Sequence, residues 1–114
     1  MNLDDILDAP VALKDFVRDP KRLPGWAWLY TDAHGPVSLA SLCRATLVSS
    51  RELSDQESEI QENFLENEGF RCLLSRDQIE QVTANLHSRY PLPTLAQIEE
   101  ALAFFLAHDA FIVT

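Results

Sequence analysis

SDQESEIQENFLENEGFRCLLSRDQIEQVTANLHSRYP, residues 54–91, holds three secondary-structure elements with their punctuation in place. Ser54 and Glu57 form a capping box: the hydroxyl takes a backbone N–H of the first helical turn, and the glutamate returns to the N–H of the cap residue. Gly69 is the residue type that closes a helix through a left-handed turn. Together they predict a helix over 55–67. FRCLLS, residues 70–75, reads as a short strand. Ser75 and Gln78 repeat the capping box, and Ile79, Val82, Leu86 and Tyr90 recur at helical spacing until Pro91 stops the run.

Towards the C-terminus, Thr94 and Gln97 make a third box. The helix they open places Leu95, Ile98, Leu102, Phe105 and Leu106 on one broad face. DAFIVT, 109–114, is expected to return as a strand. Towards the N-terminus, WAWLYT, 26–31, is an aromatic strand bounded by Gly25 and the turn DAHGP. Trp26, Trp28 and Tyr30 would share one face of it, with Ala27 and Leu29 on the other. Residues 43–49 read as another strand, while Leu39 and Leu42 fit equally a helical turn. Asn2 caps a short helix with Asp4 and Asp5 in its first turn, before Pro10. VALKDFVR, 11–18, suits one or two further helical turns until DPKRLP breaks the chain.

These elements predict an α+β fold: a small antiparallel sheet packed with several helices, in a single domain over residues 1–114. No repeat, low-complexity segment or linker divides it. At 12.9 kDa the folded chain exposes roughly 6,300 Å² against about 18,700 Å² unfolded, enough burial for one modest core.

Charge narrows the function. Eighteen acids against nine bases leave a net charge of −9. Such a field repels nucleic acid and anionic membrane and attracts basic partners. The clustered bases Lys14, Arg18, Lys21 and Arg22 are interleaved with Asp15 and Asp19, so direct nucleic-acid binding is not expected. No stretch approaches the ~20 apolar residues of a membrane span, and MNLDDILDAP lacks the basic start and apolar run of a signal peptide. The expected location is the cytoplasm, with Cys43 and Cys72 as reduced thiols on strands.

Two-thirds of the net charge falls within residues 51–68, which carry seven acids and one base, Arg51. At about 100° per residue, Asp55, Glu59, Glu62 and Glu66 fall within an arc of about 60°. Ile60 and Phe64 fall on the opposite side, where the core is expected. Like charges at these spacings cost about 0.2–0.5 kcal/mol per pair, so the stripe costs about 1 kcal/mol in all. No lysine is interleaved to offset it. A solvated face explains such a stripe, and so does a surface prepared for lysine and arginine. On the second reading Asp55, Glu59, Glu62 and Glu66 are contacts, with Glu57 and Glu68 at the rim.

Catalytic and metal chemistry find no support. His34, His87 and His108 have no metal-ligand spacing among themselves or with the cysteines. There is no GxSxG elbow or phosphate-cradling glycine loop. Exposed carboxylates on a crowded stripe have no pocket to separate their pKa values into an acid and a base. The expectation is a non-enzyme without cofactor or metal.

Two segments, LPGWAWLYT (23–31) and SRDQIEQVTANLHSRYPLPTLAQIEEALAFFLAHDAFI (75–112), resemble a family of small acidic bacterial domains. Some members of that group look like immunity proteins of contact-dependent growth inhibition systems. The resemblance spans about residues 20–112 and rests on structural motifs, so no residue roles carry over with it. It implies a cytoplasmic immunity protein whose partner is a basic toxin domain, commonly a nuclease such as a tRNase. Carboxylates would then occupy a site built for phosphates. The rival expectation is a non-catalytic adaptor or regulatory module that uses the aromatic strand and the last helix as an apolar interface.

Overall fold

The computed structural model describes residues 2–34 and 37–108, apart from the side chains of Ser50 and His108. The chain runs α1 (Leu3–Ile6), β1 (Val11–Ala12), α2 (Leu13–Arg18), β2 (Trp28–Asp32), β3 (Leu42–Ala45), α3 (Asp55–Asn67), β4 (Phe70–Ser75), α4 (Arg76–Arg89) and α5 (Leu95–His108), with short 3₁₀ turns at Pro20–Arg22 and Ser50–Glu52. The fold is α+β. Among the described residues, four strands lie in the order β1-β3-β2-β4, and every neighbouring pair is antiparallel.

The three capping boxes form as the sequence requires. Ser54 Oγ accepts from the Glu57 N–H at 3.1 Å, and Ser75 Oγ accepts from the Gln78 N–H at 3.1 Å. Thr94 Oγ1 accepts from the Gln97 N–H at 3.2 Å while Gln97 Oε1 accepts from the Thr94 N–H at 2.9 Å. Asn2 caps α1 through the Asp4 N–H at 3.2 Å. Gly69 has φ +87°, the left-handed turn that lets α3 pass directly into β4.

The sheet lies between two unequal layers. On one face, Leu29 and Leu74 sit opposite each other across β2 and β4, both fully buried, beside Cys43 and Ala45 of β3. α2, α4 and α5 close this face with Leu13, Phe16, Ile79, Val82, Leu86, Leu102 and Phe105, which makes the principal core. On the other face, α1 and α3 form a smaller core of Ile6, Leu7 and Leu65 against Tyr30, Phe64 and Phe70. Arg44, paired with Tyr30 across the sheet, ties α1 down: its guanidinium meets Asp4 Oδ1 at 2.9 Å and donates through Nε to the Asp8 carbonyl at 2.7 Å.

Three expectations are corrected. Residues 11–18 are not wholly helical: Val11 and Ala12 pair with Cys43 and Leu42 as an edge strand before α2 begins, because the polar edge of β3 needs partners. The strand over 26–31 starts at Trp28, so Trp26 sits in the preceding turn and not on a shared aromatic face. Ile60 is 49% exposed, and Leu65, at 2%, is the residue α3 buries. The inward face of α3 is therefore turned by about 120° from the side that Ile60 and Phe64 mark, with Phe64 packed at its edge. The strand expected over DAFIVT lies outside the described residues.

The two cysteines are free and point to opposite faces of the sheet, Cys43 into the principal core and Cys72 towards the α3 side. Burial raises the Cys43 thiol pKa to about 11, a rise the Thr31 hydroxyl partly opposes.

Candidate functional site

A β-bulge sets the geometry of the α3 side. Leu29 pairs with Leu74 but Tyr30 pairs with Cys72, so β4 carries one extra residue, Leu73. The parity of the strand flips there. Leu74 points into the principal core, whereas Cys72 and Phe70 point to the opposite face, beside Tyr30. Strict alternation would have put all three on one side.

The result is a groove of about 670 Å³ between the sheet and α3. Its floor is Trp28, Tyr30, Phe70 and Cys72. One wall is the inward flank of α3, with Ser58, Gln61, Glu62 and Glu66. The facing wall is the segment after β3, with Thr46, Val48 and Leu53. That segment is pinned to β2 by a reciprocal pair: the Trp28 N–H donates to Thr46 Oγ1 at 3.1 Å, and the Thr46 N–H donates to the Trp28 carbonyl at 3.0 Å. Trp28 keeps 38% of its surface exposed there. Arg71 also lines the groove, from the outermost strand, β4.

The rotation of α3 decides what each acid can do. Glu62 and Glu66 stand on the shoulder of the inward face and line the groove. Asp55 and Glu59 lie farther round, on open surface. Glu57 is occupied as the third residue of the capping box, where its carboxylate accepts from the Ser54 N–H at 3.5 Å. Glu68 is exposed at the C-cap of α3. Among the described residues, no α3 carboxylate forms an ion pair; the two pairs found are Arg44–Asp4 and Arg76–Glu80.

Glu62 is close enough to the floor to be felt there. The Tyr30 hydroxyl is pushed well above its ordinary range by burial, then by the Cys72 thiol and the Glu62 carboxylate. Burial likewise raises Cys72; a hydrogen bond with Tyr30 lowers it and Glu62 raises it further. Both groups are held in their protonated forms, the reverse of what a thiolate nucleophile or a phenolate base needs. Among the described residues, no group of three or more His, Cys, Asp and Glu is placed to hold a metal ion. No described helix is long and apolar enough to cross a membrane.

The groove unites two features that the sequence presents separately, the aromatic strand and the acidic stripe. It draws only Trp28 and Tyr30 from the first, and Glu62 and Glu66 from the second. Phe70 and Cys72 are groove residues that sequence reasoning missed, because nothing in FRCLLS marks the bulge. A smaller cavity of about 280 Å³ lies on the other layer, where Lys14, Arg18 and His87 border apolar residues of α2, α4 and α5.

A family described as a domain of unknown function (DUF7716) matches residues 10–114. The chain belongs to that family. The matched span takes in the four described strands, α3 and the whole groove, and leaves α1 outside. No curated protein and no solved structure matches this DUF7716 chain.

One expectation concerns alkaline pH and both faces of the sheet. Cys43, Cys72 and Tyr30 keep their protons in the fold at pH values where the unfolded chain releases them. Stability is therefore fully present below the unfolded thiol value of 9.0 and falls as pH rises towards the folded Cys43 value of about 11. Urea unfolding under reducing conditions should show a loss of about 1–2 kcal/mol between about pH 8 and pH 10.5, with a flatter profile in Cys43→Ala. A flat profile in the parent protein would contradict the assignment.

Proposed function

We propose that the chain is a non-catalytic binding protein that captures a basic protein partner on the acidic face of α3 and the groove below it. We read the partner as a toxin domain of a contact-dependent growth inhibition system, a nuclease such as a tRNase, and the chain as its cytoplasmic immunity protein. The observation that carries the binding reading is the unneutralised carboxylate flank beside an open aromatic groove, on a chain of net charge −9. The helix accepts about 1 kcal/mol of self-repulsion, and a basic partner would reverse that sign on docking. Inhibitors of nucleic-acid enzymes gain both speed and selectivity from such carboxylates, which stand in for the phosphates of the substrate. The immunity role itself rests on the sequence resemblance.

A second reading, an adaptor with an apolar interface, is favoured by exposed side chains at the α4–α5 corner. Tyr90, Leu92 and Leu95 are all exposed there, Leu92 by 89%. The interface expected from sequence cannot be one surface, however. The aromatic strand faces α3, and α5 lies in the opposite layer.

Affinity capture from the producing cell, eluted in rising salt, separates these readings. The proposal expects a basic domain, usually part of a larger exported protein, that leaves at moderate salt and is not retained by the triple variant Glu59→Lys, Glu62→Lys, Glu66→Lys. The captured domain should carry a nuclease activity that the native chain suppresses. A partner held equally by the variant and indifferent to salt would support the adaptor instead.

A further inference from the structure

We infer that the groove between β2, β4 and α3 is a receptor for a single arginine side chain of the partner, seated between the aromatic floor and the carboxylates of Glu62 and Glu66. This deepens the proposed function and rests on it.

Three features of the groove select that occupant. Its volume of about 670 Å³ lies in the range of sites that enclose a ligand, roughly 300–1,000 Å³, so it suits a side chain inserted with its flanking backbone. Its floor offers the exposed face of Trp28 beside Tyr30, and a planar guanidinium stacks on such rings better than a compact ammonium does. Its α3 wall offers two carboxylates one helical turn apart, and the paired oxygens of either one match the forked donors of a guanidinium. The fold already uses this pairing once: the Arg44 guanidinium lies 6.0 Å from the centroid of the Phe70 ring while it meets Asp4 at 2.9 Å.

Two carboxylates, Glu62 and Glu66, line the groove, while Asp55 and Glu59 stand outside it on open surface. A run of bases therefore fits the open stripe of Asp55 and Glu59, and a single arginine fits the groove. An apolar peptide would leave Glu62 facing a drier floor without a counter-charge, which costs free energy.

The two tryptophans supply a test within one spectrum. Trp28 is on the groove floor, and Trp26 borders a different cavity near Phe16 and Arg22. The full chain is titrated with the capped tripeptide acetyl-Gly-Arg-Gly-amide while both indole N–H signals are followed by NMR. The expected result is a saturable shift of the Trp28 signal, a still Trp26 signal, weaker binding of the lysine tripeptide and none of the glutamine tripeptide. Glu62→Gln, an exposed and conservative change, should weaken the arginine peptide by about tenfold or more. Trp28→Phe should weaken it while the backbone spectrum is preserved. Shifts confined to the open stripe near Asp55 and Glu59, or equal titrations in Glu62→Gln, overturn the inference. If those results occur while the triple α3 variant still loses the captured partner, the binding reading stands and only the arginine assignment falls. If the variant also keeps its partner, both fall.

Discussion

Leu65→Ala should destabilise the protein by about 3 kcal/mol, within the range of about 2–5 kcal/mol for emptying a buried leucine site. Ile60→Ala, five residues earlier on the same helix, should change stability by less than about 0.5–1 kcal/mol. Both are large aliphatic residues in the middle of α3, so helix propensity hardly separates them. What separates them is position: Leu65 completes the small core with Ile6 and Leu7, whereas Ile60 is half exposed. Alanine at 60 loses a partial contact and regains some of it through better helix propensity. Alanine at 65 leaves a void in a core of few residues, which has little freedom to collapse around it. Urea or thermal unfolding of the two variants measures the contrast directly. Equal effects, or a larger one at Ile60, would restore the helix face that the apolar spacing suggests.

That pair also shows where the sequence was legible and where it was not. Local signals that a residue sends to its own backbone were read correctly. The three capping boxes and the left-handed Gly69 place α3, β4, α4 and α5 because their partners lie within a few residues. The inward faces of α4 and α5 were legible in their middle turns, since Ile79, Val82, Leu86, Leu102 and Phe105 meet a large apolar core that polar residues would not tolerate, whereas Tyr90, Leu95 and Leu106, expected on the same faces, are exposed. On α3 the same rule misled. Its inward face looks onto an open groove, where Ser58 and Gln61 keep access to water and so carry little desolvation cost. Ile60 and Phe64 therefore outweigh the single Leu65 in any count of apolar positions, yet Leu65 is the residue α3 buries, Phe64 packs only at the edge of that core and Ile60 is half exposed.

The groove itself required long-range information. The strand order β1-β3-β2-β4 sets β4 beside β2, and no local signal encodes that neighbourhood. The extra residue at Leu73 then turns Phe70 and Cys72 towards Tyr30. A two-residue edge strand such as β1 is likewise invisible to periodicity, because two residues carry no period. The acidic stripe was visible as a pattern, but its division into groove-lining and open halves depends on the rotation of α3.

Two double variants exploit that division. Asp55→Lys with Glu59→Lys, and Glu62→Lys with Glu66→Lys, change the net charge by the same amount on the same helix. Long-range attraction of a basic partner should therefore fall alike in both. At low salt each should slow association by about tenfold or more, and the loss should fade as the screening length contracts from about 10 Å at 0.1 M to about 3 Å at 1 M. Short-range effects should differ. The outer pair sits on open surface, where an ion pair contributes about 0–1 kcal/mol, so dissociation should hardly change. The inner pair lines the groove, and its reversal leaves a desolvated cation of the partner facing another cation. That should cost at least about 2–5 kcal/mol, or roughly 30- to 5,000-fold in Kd, mostly as faster dissociation, and the loss should persist in high salt. Neither change should unfold the chain: breaking up like-charged neighbours at three- and four-residue spacing relieves about 0.2–0.5 kcal/mol per pair, which offsets much of the roughly 0.3–1 kcal/mol lost when lysine replaces Asp55 in the first helical turn. Association and dissociation rates for the captured partner at two salt concentrations distinguish the cases. If the two variants behave identically at high salt, the acids act only as a diffuse field, and the groove has no part in holding the partner.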